Sequence, residues 1–244
     1  MLDKIHPFIF NWPGQYENCL KLEEQLTSVF GRVTVINSDD NNKKDSWHNI
    51  GNEMYFTGQW NKALELFDGE IMFHTQADAY CENLSGLVNS AIENQTKYNW
   101  GVYEPNFDRC DIQGAELFTM DQQGDRNIKM VVNTDCTIWL IHKDVISEAQ
   151  ENYTTFFSNL KFGWGICQLY ASTSYKMGRP VIKDYNFTAH HPDNTGYNQD
   201  EAGLEKALVI REMRRKSLII DRQMALYKAI DILKNNAEQH KTQI

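Results

Sequence analysis

Long apolar runs are missing from this chain of 244 residues. The N-terminal patch in MLDKIHPFIFNWP, bounded by Pro7 and Pro13, is too short for the core of a signal peptide. No later stretch approaches the roughly 20 apolar residues of a membrane helix. A cytoplasmic protein without a membrane span is therefore expected. Cysteine is sparse and unpaired in pattern: Cys19, Cys81, Cys110, Cys136 and Cys167 are odd in number, scattered, and form no CxxC motif. That excludes a disulfide framework or a zinc ribbon and leaves reduced, buried thiols. Positive charge is also short, with a formal net charge of −9. Counterion release from nucleic acid needs clustered cations, so a broad nucleic-acid footprint is not expected. REMRRK at 211–216 is the one basic cluster, read first as a solvated helix face and second as a contact for an anionic membrane surface. Internal repeats and low-complexity segments are absent.

What is present is an ordinary apolar content, 41%, and a length that buries one sizeable core. Strand and helix signals alternate along most of the chain, which points to an α/β fold. Phe8 to Asn11 is a short strand, and the Pro13-Gly14 turn opens a helix with Tyr16, Cys19, Leu20 and Phe30 at helical spacing. Val33 to Asn37 is a β-branched strand ending in Ser38-Asp39-Asp40. Trp60, Ala63, Leu64 and Phe67 follow the i, i+3, i+4, i+7 pattern. After a strand at Ile71 to His74, a helix carries Cys81, Leu84, Val88, Ala91 and Ile92 on one face. Further strands are predicted at Trp100 to Tyr103, Met130 to Asn133, Thr137 to His142 and Pro180 to Tyr185, with residues 104–129 rich in loops. Gly165 to Lys176 reads as a helix stopped by Gly178. Residues 1–199 are expected to form the main domain, and 200–244 a C-terminal helical extension packed on it.

The segment EIMFHTQADAYCE, Glu70 to Glu82, stands out. It delivers one carboxylate, Asp78, where a strand should end, amid small residues. Open α/β sheets present ligand-binding groups at that carboxyl edge.

Five segments occur in an informative order: FIFNWPGQYENCLKLEEQL, VTVINSDD, HTQADAY, FGWGIC and FTAHHP. Together, over residues 6–197, they resemble a GT-A glycosyltransferase of the family-2 type. The resemblance implies a Rossmann-like, mixed but mostly parallel central sheet flanked by helices. It also implies a hexosyl- or pentosyltransferase that moves a sugar from a nucleotide-diphosphate donor, a UDP-sugar, to a saccharide or other hydroxyl acceptor with Mn²⁺ or Mg²⁺. Asn11, Asp39, Asp40 and Asp78 would then face the donor, with Asp39 or Asp40 beside the base and ribose. Either of those two could equally cap the following turn. Asp78 matches the last acid of the metal motif, although QADA replaces the usual Asp-any-Asp triplet; the competing reading is a helix cap. His190 and His191 match the late histidine that returns to the metal, and imidazole suits Mn²⁺ better than Mg²⁺. Adjacent strand residues point opposite ways, so only one should reach it.

Gly163-Trp164-Gly165 resembles the acceptor segment, where glycines admit a sugar and an aromatic ring stacks on it; a core-anchored loop is the alternative. Inverting relatives place an acid soon afterwards as the base, whereas this chain has Ile166-Cys167-Gln168. A sugar hydroxyl needs a positioned proton acceptor for direct displacement. Asp135, in NTDCTIW, is the substitute base; a retaining mechanism assisted by the leaving phosphate would need none. The glycine-rich phosphate loop of nucleotidyltransferases is missing from the N-terminal region. Two further readings remain: a non-catalytic carbohydrate-binding or scaffolding protein on the same fold, and a phage-type enzyme that glycosylates modified DNA bases, which the acidic balance disfavours.

Overall fold

The computed structural model describes residues 2–53, 55–108, 116–121, 124–153, 158, 160–192, 197–218 and 221–242, so that Cys110 and residues 193–196 lie outside the described residues. Among the described residues ten strands form one sheet: β1 (Ile5–Asn11), β2 (Thr34–Asn37), β3 (His48–Asn49), β4 (Ile71–Gln76), β5 (Tyr80–Cys81), β6 (Val102–Phe107), β7 (Glu116–Thr119), β8 (Ile128–Val131), β9 (Ile138–His142) and β10 (Val181–His190). Their order is β3-β2-β1-β4-β9-β6-β10-β8-β7, with β5 pairing β10 off this path. β1, β2, β3 and β4 run parallel, β9 is antiparallel to both β4 and β6, and β6 and β10 are parallel to each other.

Alternation along each strand divides the apolar residues between two cores, one on each face. Phe8 and Phe10 of β1, Met72 of β4 and Trp139 and Ile141 of β9 enter one cluster. Ile5 and Ile9, Ile71 and Phe73, and Ile138 and Leu140 of the same strands enter the other. The first core is covered by α2 (Phe56–Leu66), α4 (Lys143–Tyr153), α5 (Ile166–Lys176), α6 (Gln199–Arg215) and α7 (Arg222–Thr242), and the second by α1 (Tyr16–Phe30) and α3 (Leu84–Tyr98). Trp60, Trp139 and Tyr170 meet at the centre of the first core with no exposed surface. Each such side chain contributes roughly 2–3 kcal/mol by leaving water. α6 and α7 join this core through Val209, Met213, Ala225, Ala229 and Ile232. Among the described residues, no helix is long and apolar enough to cross a membrane.

Several expected elements shift. β1 starts at Ile5 and β10 runs on to His190. Cys81 sits in β5 rather than on α3, whose N-cap is Asn83. Residues 104–129 are not loop-rich throughout, because β6 continues to Phe107 and β7 follows. α4 is absent from the sequence reading. It follows β9 with no Gly or Pro between them, and its polar composition masks an apolar face of Val145, Ile146, Ala149 and Tyr153. β10 contains a bulge: Asp184 pairs with Pro105 and Thr188 with Asn106, so residues 185–187 have no partners on β6. Hydrogen bonds from Tyr185 N to Asn127 O and from Asn186 N to Asp184 Oδ1 hold it.

Candidate active site

The carboxyl ends of β1 and β2 are tied by buried amides. Asn11 Nδ2 donates to Asn37 Oδ1 at 2.7 Å, and Asn37 Nδ2 donates to Asn49 Oδ1 and to the carbonyls of Asp39 and Asn42. Asn11 Oδ1, buried, has no hydrogen-bond partner among the described residues. Asp39 and Asp40, adjacent in sequence, differ sharply in setting. Asp39 is 1% exposed and accepts from Asn41 N and Asn42 Nδ2, the turn-capping arrangement typical of Asp. Asp40 is exposed, pairs with Lys43 at 3.1 Å and accepts from Asn52 N; these contacts hold its carboxyl below the usual range.

Asp78 stands just past β4 and is not a helix cap, because the Asn83 side chain caps α3. Its carboxylate is buried at 6% exposure, and His191 Nε2 lies 3.4 Å from Oδ1. That is ion-pair range without the alignment of a hydrogen bond, and Asp78 Oδ1 has no hydrogen-bond partner among the described residues. Burial works to lower the His191 pKa, but the Asp78 carboxylate beside it, with Asp135 and Asp108 farther off, raises it overall. His190 faces elsewhere: its Nδ1 is 2.6 Å from Asp108 Oδ2 and its ring stacks on Tyr80. Of the two histidines, then, the fold brings His191 to Asp78.

Asp135 lies in the turn entering β9. The Gln76 N to Thr137 O hydrogen bond, 3.0 Å, fastens this turn to the end of β4 that leads to Asp78. Thr137 N and Oγ1 both donate to Asp135 Oδ1. The backbone N–H of Asp135 donates at 2.7 Å to Oε2 of Glu104, a fully buried residue of β6. On the neighbouring side, Trp164 Nε1 donates to the Tyr197 hydroxyl at 2.7 Å, and Tyr197 stacks on Phe162. Burial raises the Tyr197 pKa.

The glycines of Gly163-Trp164-Gly165 are demanded by the fold itself. Both have left-handed backbones, φ +76° and +105°, and a Cβ would meet Phe56 at 2.4 Å or Val209 at 2.9 Å. Gly165 is the N-cap of α5, so the helix starts at Ile166, one residue later than the sequence pattern suggests. Just after Gly165, Ile166 is buried in the core and the Cys167 thiol donates to Gln168 Oε1. The neighbouring Cys167 thiol, together with burial, holds Cys136 well above its ordinary pKa, and Cys136 in turn lowers that of Cys167.

Sequence reasoning missed Glu104, Lys183 and Tyr197. Glu104 had a readable signal, a single charge inside the apolar strand VYEPNF. Lys183 had a weaker one, the charged doublet of VIKDYNF. Tyr197 had none.

A mixed, mostly parallel sheet between helical layers, with acids at the carboxyl ends of its strands, defines a GT-A-like, Rossmann-type fold. No protein-family model and no curated protein matches the sequence. Among solved structures, S. aureus TarS 1-349 in complex with UDP-GlcNAc superimposes with a TM-score of 0.58 at 12% identity, over 98% of this chain and 73% of that one. A197 from STIV gives 0.45 at 11% identity, over 78% of this chain and 86% of that one. The bifunctional IspDF from Campylobacter jejuni gives 0.43 at 13%, over 75% of this chain and 49% of that one. At 12% identity the likeness to TarS is one of fold alone.

Proposed function

We propose that this protein is a metal-dependent glycosyltransferase that moves a sugar from a nucleoside-diphosphate donor, a UDP-sugar, to a hydroxyl acceptor. The observation that carries the reading is the pairing of Asp78 with His191 at the carboxyl edge of β4, with the Asp135 turn hydrogen-bonded to the same strand end. A buried carboxylate oxygen lacking a hydrogen-bond partner, beside an imidazole nitrogen, fits one edge of a Mn²⁺ shell better than a Mg²⁺ shell. Among the described residues no three His, Cys, Asp or Glu side chains converge as a metal cluster, so donor phosphate and water would supply the remaining ligands. A cation held by Asp78 and His191 would neutralise charge on the departing diphosphate. TarS carries UDP-GlcNAc on a similar fold, which supports a nucleotide-sugar donor here.

The chain's own residues supply the rest. Asp40, exposed at the β2 end, borders the donor, while the buried Asn11 and Asp39 shape that edge from behind. Trp164, braced by Tyr197, offers an aromatic surface to the acceptor. Asp135 takes the proton as the acceptor oxygen bonds to the anomeric carbon; the bond from that carbon to the diphosphate oxygen breaks, and UDP leaves.

The test is calorimetric titration of UDP with and without Mn²⁺, together with UDP release from UDP-sugars. The wild type should bind UDP in a Mn²⁺-dependent manner and hydrolyse a UDP-sugar slowly without acceptor. Asp78→Asn should lose about a hundredfold in Mn²⁺-dependent affinity, roughly 2.7 kcal/mol, while keeping its melting temperature. Unchanged affinity in Asp78→Asn removes it from the site. Tight UDP binding with no release from any UDP-sugar favours the non-catalytic carbohydrate-binding reading.

A further inference from the structure

Behind the Asp135 turn lies a charge pair that donor and acceptor need not touch. Glu104 of β6 and Lys183 of β10 are direct neighbours in the parallel ladder, and their side chains are 0% and 4% exposed. Lys183 Nζ lies 3.2 Å from Glu104 Oε1. The other oxygen, Oε2, accepts the backbone N–H of Asp135. Burying two charges costs several kcal/mol per ion before their attraction is counted, and an apolar pair would commonly serve stability as well. A carboxylate spent on one backbone N–H of a turn is therefore a specific device. The same turn carries two other buried polar atoms, Asn133 Oδ1 and Thr134 Oγ1, which lack hydrogen-bond partners among the described residues. Side-chain support for the turn thus concentrates on Asp135, where Glu104 holds the backbone and Thr137 the carboxylate.

We infer that Glu104, anchored by Lys183, is a positioning residue that fixes the Asp135 carboxylate for proton removal from the acceptor. The inference rests on the reading of Asp135 as the base. Burial pushes the Glu104 carboxyl up, while Lys183 and the hydrogen bond from the Asp135 N–H pull it back toward the charged form.

The test compares Asp135→Asn, Glu104→Leu/Lys183→Met, the triple variant that adds Asp135→Asn to that pair, and Glu104→Gln/Lys183→Met, which removes both buried charges but keeps an oxygen to accept the Asp135 N–H. The readouts are kcat and donor KM for transfer, Mn²⁺-dependent UDP affinity, and melting temperature. Glu104→Leu/Lys183→Met should lower transfer kcat by about a hundredfold, the scale of loss from a small misplacement, with donor KM and UDP affinity unchanged. Glu104→Gln/Lys183→Met should recover most of that rate, because its amide oxygen accepts the same N–H. Adding Asp135→Asn to Glu104→Leu/Lys183→Met should cost little more, because the two residues act as one unit. A damaging Asp135→Asn beside a Glu104→Leu/Lys183→Met variant with wild-type kcat overturns the positioning role and leaves the base intact. Losses that multiply in the triple variant also overturn it, as does a folded Glu104→Gln/Lys183→Met variant no faster than Glu104→Leu/Lys183→Met. If Asp135→Asn itself transfers normally, both readings fall.

Discussion

Replacing His74 should make the protein more resistant to acid. His74, in β4, has no exposed surface, and its ring is enclosed by Phe10 at 4.3 Å, Phe56 and Trp60 at 5.6 Å, and Trp139 at 6.5 Å. Neither ring nitrogen has a well-formed hydrogen bond among the described residues, and the nearby Cys136 backbone compensates only weakly. Burial therefore lowers its pKa from 6.5 to about 3. The sign follows from linkage. Above pH 6.5 the ring is neutral in both folded and unfolded chains and pH has no effect through it. Below 6.5 the unfolded chain takes up a proton that the native chain refuses, so stability is lost as pH falls, until the native ring itself titrates. At about 1.4 kcal/mol per unit, the loss at pH 5 is roughly 2 kcal/mol, a large part of a typical folding free energy. His74→Leu, similar in volume and without nitrogens to satisfy, should lose this dependence. Urea unfolding followed by tryptophan fluorescence at pH 7, 6 and 5 measures it. The variant should gain on the wild type by about 1.4 kcal/mol per pH unit below 6.5, whatever the carboxylates contribute to both. Parallel stability curves for the two proteins would refute the account of a neutral, encaged imidazole.

Two further outcomes bear on the site. His191→Ala should weaken Mn²⁺-dependent UDP binding by about tenfold or more, whereas His190→Ala, which breaks the exposed Asp108 pair, should leave it within about twofold. Equal titrations for the two variants would make His191 structural. Trp164→Ala removes both the ring and its hydrogen bond to Tyr197, so transfer should fall far more than acceptor-independent donor hydrolysis. A collapse of donor binding or of the melting temperature in Trp164→Ala would place the ring in the fold instead of the acceptor pocket.

The sheet was legible in the sequence wherever hydrophobic content alone marks a strand. β1, β2, β4 and β9 are buried on both faces, so each reads as a compact apolar run. α4 was hidden because only four of its residues are buried and no breaker announces it. The position of Asp78 just past β4 was legible because a lone acid after an apolar strand is visible in one dimension. The difference between His190 and His191 was not, since adjacent residues of one type carry no signal of direction. Glu104 and Lys183 were obscured for a related reason. They are 79 residues apart, and only the parallel pairing of β6 with β10 makes them neighbours.

The bulge in β10 gives chain length control over chemistry. Residues 185–187 are spliced in upstream of both imidazoles, between the pairings of Asp184 and Thr188 with β6. Because alternate residues of a strand point to opposite faces, removing or adding one residue there, with the bulge kept at three residues, would exchange the directions of all that follow it. The ring now against Tyr80 would swing toward the carboxylate, and its neighbour would turn away. Which histidine meets Asp78 is therefore written in a residue count rather than in residue identity. Insertions and deletions, more than substitutions, are the changes to which this edge of the sheet is tuned to respond.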